Sequence, residues 1–349
     1  MTTVGTIRWD AFYTADGPAQ RTMAALSQPH YQDRAPFFSE VLSPNLIEYA
    51  PTEETMSQEI EFAVEGGLDY WAFLYYARPA APATAQMMAG WDLFQANPNK
   101  NDINWCWIQT SGTMAGGGVF GSNTWQAHVA TIVTQMQQAN WQKVLTNRPL
   151  LYLMYDAAEV VGWFTNDANL KTVLDALRAD AQTAGLGNPY IVILQGGGSG
   201  AAATKTTLGA DAISSYIGRI PSGMDKAYTL LDTTTRTYWA ELLATGSAMV
   251  PICMCGWDRR PRIERPVTWE ASTQRPFHGL RTTHMQPTNA ELVAHFQAAL
   301  DFVDTNAAAC PADTILAYAW NEHDEGGWLC PTLGDPTGSR LAALAAILT

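Results

Sequence analysis

Eight short apolar runs, at residues 4–9, 69–76, 104–109, 149–155, 190–195, 211–217, 249–255 and 314–320, recur through this chain, with longer segments of helical periodicity between them. Most are nearly continuous rather than alternating, as in Tyr190-Ile191-Val192-Ile193-Leu194. A strand with one wet face alternates polar and apolar residues. A continuous run therefore marks a strand covered on both faces, as parallel strands between helices are. Strand and helix alternating from end to end predict a (β/α)8 TIM barrel, an α/β fold, formed as a single domain over residues 1–349. An open doubly wound sheet is the alternative.

The helical segments carry their own start and stop signals. Segment 53–66 begins after Thr52 and stops at Gly66-Gly67. Segment 124–140 lines up Trp125, Val129, Ile132, Val133 and Met136 on one face. Segment 167–184 ends just before Gly185 and Gly187, and Thr288-Asn289-Ala290-Glu291 is a capping box that opens 289–305. A bare barrel takes about 250 residues. The surplus falls at 11–51, 110–122 and 256–287, after strands one, three and seven, on the face where barrel enzymes build their sites. The run Gly196–Gly200 has no Gly-Lys-Ser/Thr after it and no G-x-G-x-x-G pattern, so it reads as a flexible loop, and no cofactor is expected.

A formal charge of −13 argues against nucleic acid as a partner. The one basic cluster, Arg259, Arg260, Arg262 and Arg265, is broken by prolines and Glu264 and reads as a local loop feature. No apolar run is long enough to span a membrane. The first strand begins almost at Met1, leaving no room for a signal peptide; a cytoplasmic protein and a trimmed secreted one would look alike here. Five cysteines, an odd number, make no disulfide framework, although Cys310 and Cys330 flank the last strand and could approach one another. Cysteine and histidine do not cluster at metal-ligand spacing, so no metal is expected.

The strand ends carry the candidate chemistry. Strand one ends in Trp9-Asp10, strand two in Tyr76, strand three offers Trp107, and strand four ends in Tyr155-Asp156. Gln195 and Tyr216 end strands five and six, and Trp257-Asp258 follow strand seven. Strand eight runs into Trp320-Asn321-Glu322-His323-Asp324-Glu325-Gly326-Gly327-Trp328. A ring rich in Trp, Tyr, Asn and Gln suits a polyhydroxylated ligand, and two carboxylates three residues apart are what glycosidic-bond hydrolysis requires. Enclosure by Trp320 and Trp328 would desolvate one glutamate and keep it protonated, beside an ionised partner. His323 reads as a supporting or solvent-facing residue.

On these residues the chain resembles the glycoside hydrolase family 99-like group, whose last barrel strand ends in W-N-E-W-x-E-G. Three weaker matches follow in order. Gly67-Leu68-Asp69-Tyr70-Trp71-Ala72-Phe73-Leu74-Tyr75-Tyr76 is similar to G-I-D-G-F-x-F-Y-W-Y of strand two, and Arg148–Tyr155 to G-K-P-V-F-L-I-Y of strand four. Gly256-Trp257-Asp258-Arg259-Arg260-Pro261-Arg262 is similar to W-D-N-T-P-R after strand seven. The resemblance implies a retaining hydrolase of α-linked oligo- or polysaccharide. Glu322 would be the base that helps the substrate 2-hydroxyl attack, and Glu325 the acid/base; a carboxylate nucleophile is the other route. His323-Asp324 replaces the family's W-x, and strand one departs from its Y-Y-P-Q-F-H run, which leaves the sugar open. The alternatives are a non-catalytic carbohydrate-binding barrel, a glycan-modifying enzyme of surface-polysaccharide synthesis, and a metal-dependent hydrolase using Asp10, His323 and Asp324. The expected assembly is a monomer or small homo-oligomer.

Overall fold

The computed structural model describes residues 1–76, 86–269 and 282–349; His278 and part of the extension expected at 256–287 lie outside them. Eight parallel strands form the centre: β1 (Thr3–Arg8), β2 (Tyr70–Leu74), β3 (Asn104–Thr110), β4 (Arg148–Met154), β5 (Tyr190–Leu194), β6 (Ala212–Ser214), β7 (Ile252–Met254) and β8 (Thr314–Tyr318). They run in the order β7-β8-β1-β2-β3-β4-β5-β6. The ring is completed between β6 and the residues before β7, where Ile213 bridges Met249 and its amide donates to Ala248 O at 2.9 Å. The fold is a (β/α)8 TIM barrel, and the open sheet is excluded.

Helices surround it: α1 (Pro18–Leu26), α2 (Glu53–Glu65), α3 (Ala89–Ala96), α4 (Thr124–Met136), α5 (Asp167–Thr183), α6 (Gly198–Leu208), α7 (Tyr228–Leu243), the short α8 (Arg260–Glu264), α9 (Asn289–Thr305) and α10 (Ser339–Leu348). The capping box of α9 forms as expected, with Thr288 Oγ1 accepting from Glu291 N at 3.2 Å and Glu291 Oε2 accepting from Thr288 N at 2.8 Å. Two expectations need correction. Helix α4 stops at Met136, short of 140, because the Asn140 amide is drawn away to the carbonyls of Lys100 and Ile103. The glycine run is not a loop throughout: Gly198 opens α6, and its missing Cβ lets the helix start lie against the backbone of Glu241 in α7.

Strand parity decides which side chains can reach a site. On β2, Tyr70 points into the barrel, where its hydroxyl meets Tyr152 at 2.8 Å and Thr314 at 3.0 Å. It can cross the floor only because β1 carries glycine opposite: a Cβ on Gly5 would lie 2.0 Å from the Tyr70 ring. We expect Gly5→Ala to cost about 1–3 kcal/mol by overpacking, read as a lowered urea midpoint with unchanged slope.

The next residues outward, Trp71 and Phe73 of β2 and Trp105 and Trp107 of β3, face the helices. Trp71 lies 5.6 Å from Phe94, Trp107 lies 5.8 Å from Trp91, and Trp105 lies 4.6 Å from Trp141, ring centre to ring centre. Arg8 points the same way, lying over Trp71 and pairing with Glu59 of α2 at 3.0 Å and with Asp10 at 2.9 Å. All five cysteines are free and buried. Cys310 and Cys330 do not bond: Cys310 precedes β8, beside Asp313, whereas Cys330 lies past its far end in the field of Glu59 and Arg8. Among the described residues no helix is long and apolar enough to cross a membrane.

Candidate active site

The strand-eight motif does not continue the strand. After Tyr318 the chain is tied to β1 by Trp320 N donating to Ile7 O at 2.7 Å. Asn321-Glu322 then pair antiparallel with Gly327-Trp328 around a single tight turn, His323–Glu325. Gly326 makes this possible, with φ of 86° and a Cβ position only 2.2 Å from Asp258 N. Asp258 N donates to Glu325 O at 2.7 Å and locks the turn to the segment after β7. Glu322 and Glu325 are thereby brought together at the C-terminal end of the barrel.

Both carboxylates are buried, Glu322 at 3% and Glu325 at 9% exposure. Glu322 Oε1 accepts from Tyr216 OH at 2.8 Å, while its Oε2 has no hydrogen bond and lies 3.6 Å from Arg262 Nη2. Glu325 accepts from the Tyr318 hydroxyl and from Arg262 Nη1, and Arg259 Nε lies 3.2 Å away. The remaining edge of the Arg262 guanidinium is gripped by Asp324, at 2.6 Å from Nε and 3.2 Å from Nη2. Trp9 and Trp269 flank it at 4.9 and 5.6 Å.

The electrostatics separate the two glutamates. Burial, reinforced by the neighbouring charge of Glu325, pushes the Glu322 carboxyl well above its usual range against the pull of Arg262. Glu325 is the more heavily ion-paired of the two. Burial opposes the charge on Arg262, but Asp324, Glu325 and Glu322 more than offset it. A glutamate that burial disposes to hold its proton, beside a more strongly ion-paired one, has the form of an acid/base pair.

The sequence-derived candidates divide into two groups. Trp9 faces the mouth and donates through Nε1 to Tyr76 OH at 2.8 Å. Tyr216 holds Glu322, and Trp257 lies 5.8 Å from the Tyr318 ring. These four join the glutamates. The others expected as substrate contacts are engaged elsewhere. Trp107 is packed among Trp91, Trp105 and Trp141. Tyr155 turns outward to Asp167 of α5 at 3.0 Å, and Asp156 is an exposed cap accepting from the amides of Ala158 and Glu159. Gln195 falls on the outward parity of β5, its carbonyl accepting from Tyr238 of α7 at 3.4 Å.

Asp10 is buried against Arg8, its carboxyl pushed up to about 6 by burial despite that partner. For Asp258 burial again favours the acid, but Arg260 and Arg34 outweigh it and hold the carboxyl below its usual range. Asn321 is a tie rather than a contact: its Oδ1 accepts from Trp9 N at 2.8 Å and its amide reaches Asp10 at 3.3 Å. Trp320 donates to Glu59 at 2.7 Å, behind the barrel wall. Trp328 is sandwiched between His323 and Arg340. The glutamates are desolvated, then, but not by these two tryptophans. His323 is fully buried between Phe12 and Trp328, and burial lowers its pKa to about 3, so it stays neutral. Asp10, His323 and Asp324 thus face three different environments rather than one metal.

Arg259 and Arg262, read from the sequence as part of a local loop feature, belong to the site, and Tyr318 and Trp269 were not singled out as site residues. The signal for the two arginines was the cluster after strand seven, the one concentration of positive charge in an acidic chain. Its natural counterpart is the acidic strand-eight turn.

No protein-family profile and no curated protein sequence matches the chain. Solved structures do. A glycoside hydrolase-like protein superposes with a TM-score of 0.59 at 11% identity, covering 98% of this chain and 92% of its own. A GH99 endo-α-mannosidase from Bacteroides thetaiotaomicron, in complex with bis-tris propane, superposes with a TM-score of 0.55 at 12% identity, covering 98% and 95%. At these identities the likeness is one of fold.

Proposed function

We propose that this protein is a retaining glycoside hydrolase acting on an α-linked oligo- or polysaccharide, built as one catalytic domain, with Glu322 and Glu325 as its working pair. The observation that carries this reading is the pair itself: two buried glutamates bridged by one guanidinium, beneath Trp9, Tyr76, Tyr216, Trp257 and Trp269. A guanidinium that ion-pairs with both carboxylates gathers them at one place, and the retaining outcome is what the family resemblance implies. Trp269, the exposed tryptophan of that set, offers flat apolar surface to a sugar C–H face. The likeness of the barrel to glycoside hydrolases adds to this.

The family resemblance puts acid/base duty on Glu325. The electrostatics favour the other order at rest. Glu322, whose Oε2 makes no hydrogen bond, would hold the proton and protonate the departing glycosidic oxygen. Glu325, ion-paired, would assist attack at the anomeric carbon, either directly or through the neighbouring sugar hydroxyl.

One observation supports a binding barrel without turnover instead: both oxygens of Glu325 are already engaged, by Tyr318 and Arg262. The two readings separate on a panel of α-linked oligo- and polysaccharides assayed for new reducing ends. A hydrolase releases them from at least one glycan. A glycan that binds tightly and is recovered intact would establish the binding protein.

A further inference from the structure

The strand-eight turn carries three consecutive acidic or ionisable positions, and the middle one has no part in the reaction proposed above. Asp324 is fully buried, and both of its oxygens go to Arg262, on Nε and Nη2. A side-on grip of this kind fixes the plane of a guanidinium as well as its position. With Nε and Nη2 so held, Nη1 is directed onto Glu325, and Glu322 is left at the looser distance of 3.6 Å. Arg262 is thus shared unequally between two glutamates that compete for it.

We propose that Asp324 is a positioning residue: by gripping Arg262 side-on it holds the guanidinium on Glu325 and off Glu322, and so biases the proton towards Glu322. Among the described residues, other charged and titratable groups around the pair act beside this grip. Arg259 lies on Glu325, Tyr318 donates to Glu325, and Tyr216 donates to Glu322. Tyr76 at the end of β2 feels both Glu322 and Arg262, and Tyr49, from the hairpin after β1, feels Asp324 and Arg262. All four of those tyrosines are neutral at physiological pH, since burial raises each above its ordinary value.

The sign follows from charge and geometry together. Removing the Asp324 charge takes away one repulsion against ionised Glu322. Releasing Arg262 lets the guanidinium swing towards Glu322 as well. Both changes favour the ionised form of Glu322, so its titration moves to lower pH. A role for this clamp in turnover rests on the hydrolase reading; the location of the proton does not.

The test is therefore made without substrate. In protein labelled with 13C at the glutamate side-chain carboxyl, the Glu322 resonance is identified by its loss in Glu322→Gln and followed as a function of pH. In the parent it should remain that of the acid through neutrality. In Asp324→Asn the midpoint should fall by about one unit or more, a tenfold loss of proton affinity. Asp324→Ser should do the same and serves if the amide variant does not fold, and Asp324→Glu should stay near the parent. Parent and both neutral variants titrating together, or a parent Glu322 already ionised at ordinary carboxylate pH, would overturn the clamp. Failure to find any cleaved glycan would count against the hydrolase and leave this result standing.

Discussion

Conversion of Glu322 to Gln should lower turnover of the cleaved glycan by about 10²–10⁴-fold, the usual contribution of a positioned proton donor. Gln has nearly the same shape and still accepts from Tyr216 through its carbonyl, so KM and thermal stability should change little. The loss should belong to the chemical step, with kcat and kcat/KM falling together. Glu325→Gln should be as slow, but the two variants differ in one respect. An aryl glycoside whose phenol leaves without protonation bypasses the need for an acid. Such a substrate should restore much of the activity of the Glu322 variant and little of the Glu325 variant. The reverse pattern would return the acid to Glu325, as the family resemblance has it. Full activity in either variant would remove both residues from the reaction.

The second large effect is expected behind the barrel wall. Arg8 is fully buried, with Asp10 on Nε at 2.9 Å and Glu59 on Nη1 at 3.0 Å, and Tyr13 also donates to Glu59. Arg8→Met keeps the length of the side chain and removes its charge, leaving two buried carboxyls without a counter-ion. Breaking a buried pair in this way costs about 3–5 kcal/mol, measurable as a lowered midpoint in guanidinium chloride. The loss should depend on pH with a definite sign. A carboxyl whose folded pKa is raised confers its stability below the unfolded value, and that stability is lost as pH rises through the folded one. Asp10 already sits at about 6 with Arg8 present, so without it the variant should be weakest in mildly alkaline buffer and recover on acidification. A loss independent of pH would mean that packing against Trp71, rather than charge, is what Arg8 contributes.

The barrel was legible because its strands are covered on both sides: Tyr190–Leu194 and Tyr70–Leu74 are buried at every position, so parity leaves no polar mark to misread. The cap of α9 was legible because it is local. Parity is also what hid the membership of the site. On β3 the small or plain residues Cys106, Ile108 and Thr110 fall on the barrel side, while Trp105, Trp107 and Gln109 face the helices. A tryptophan at a strand end was therefore weak evidence for a ligand. Tyr155 and Gln195 lie one residue beyond the inward-facing ends of β4 and β5. Trp320 and Trp328 were misplaced for another reason: the turn at Gly326 folds the motif back on itself, and only the three-dimensional path shows which faces then look inward. Arg262 was hidden by distance, since nothing local to residue 262 announces that its partners are at 322, 324 and 325.

The place of β8 in the ring has a consequence for how this molecule comes into being. It lies between β7 and β1, paired with Thr3, Val4, Gly5 and Thr6 on one side and with Ile252, Cys253 and Met254 by way of its own Leu316–Tyr318 on the other. During synthesis the first strand leaves the ribosome with one of its neighbours still some three hundred residues from being made. Until then the nascent barrel has two raw margins, each able to pair with a foreign chain. The same closing strand brings the glutamates, so sealing the wall and completing the chemistry are a single event, the last in the making of the barrel.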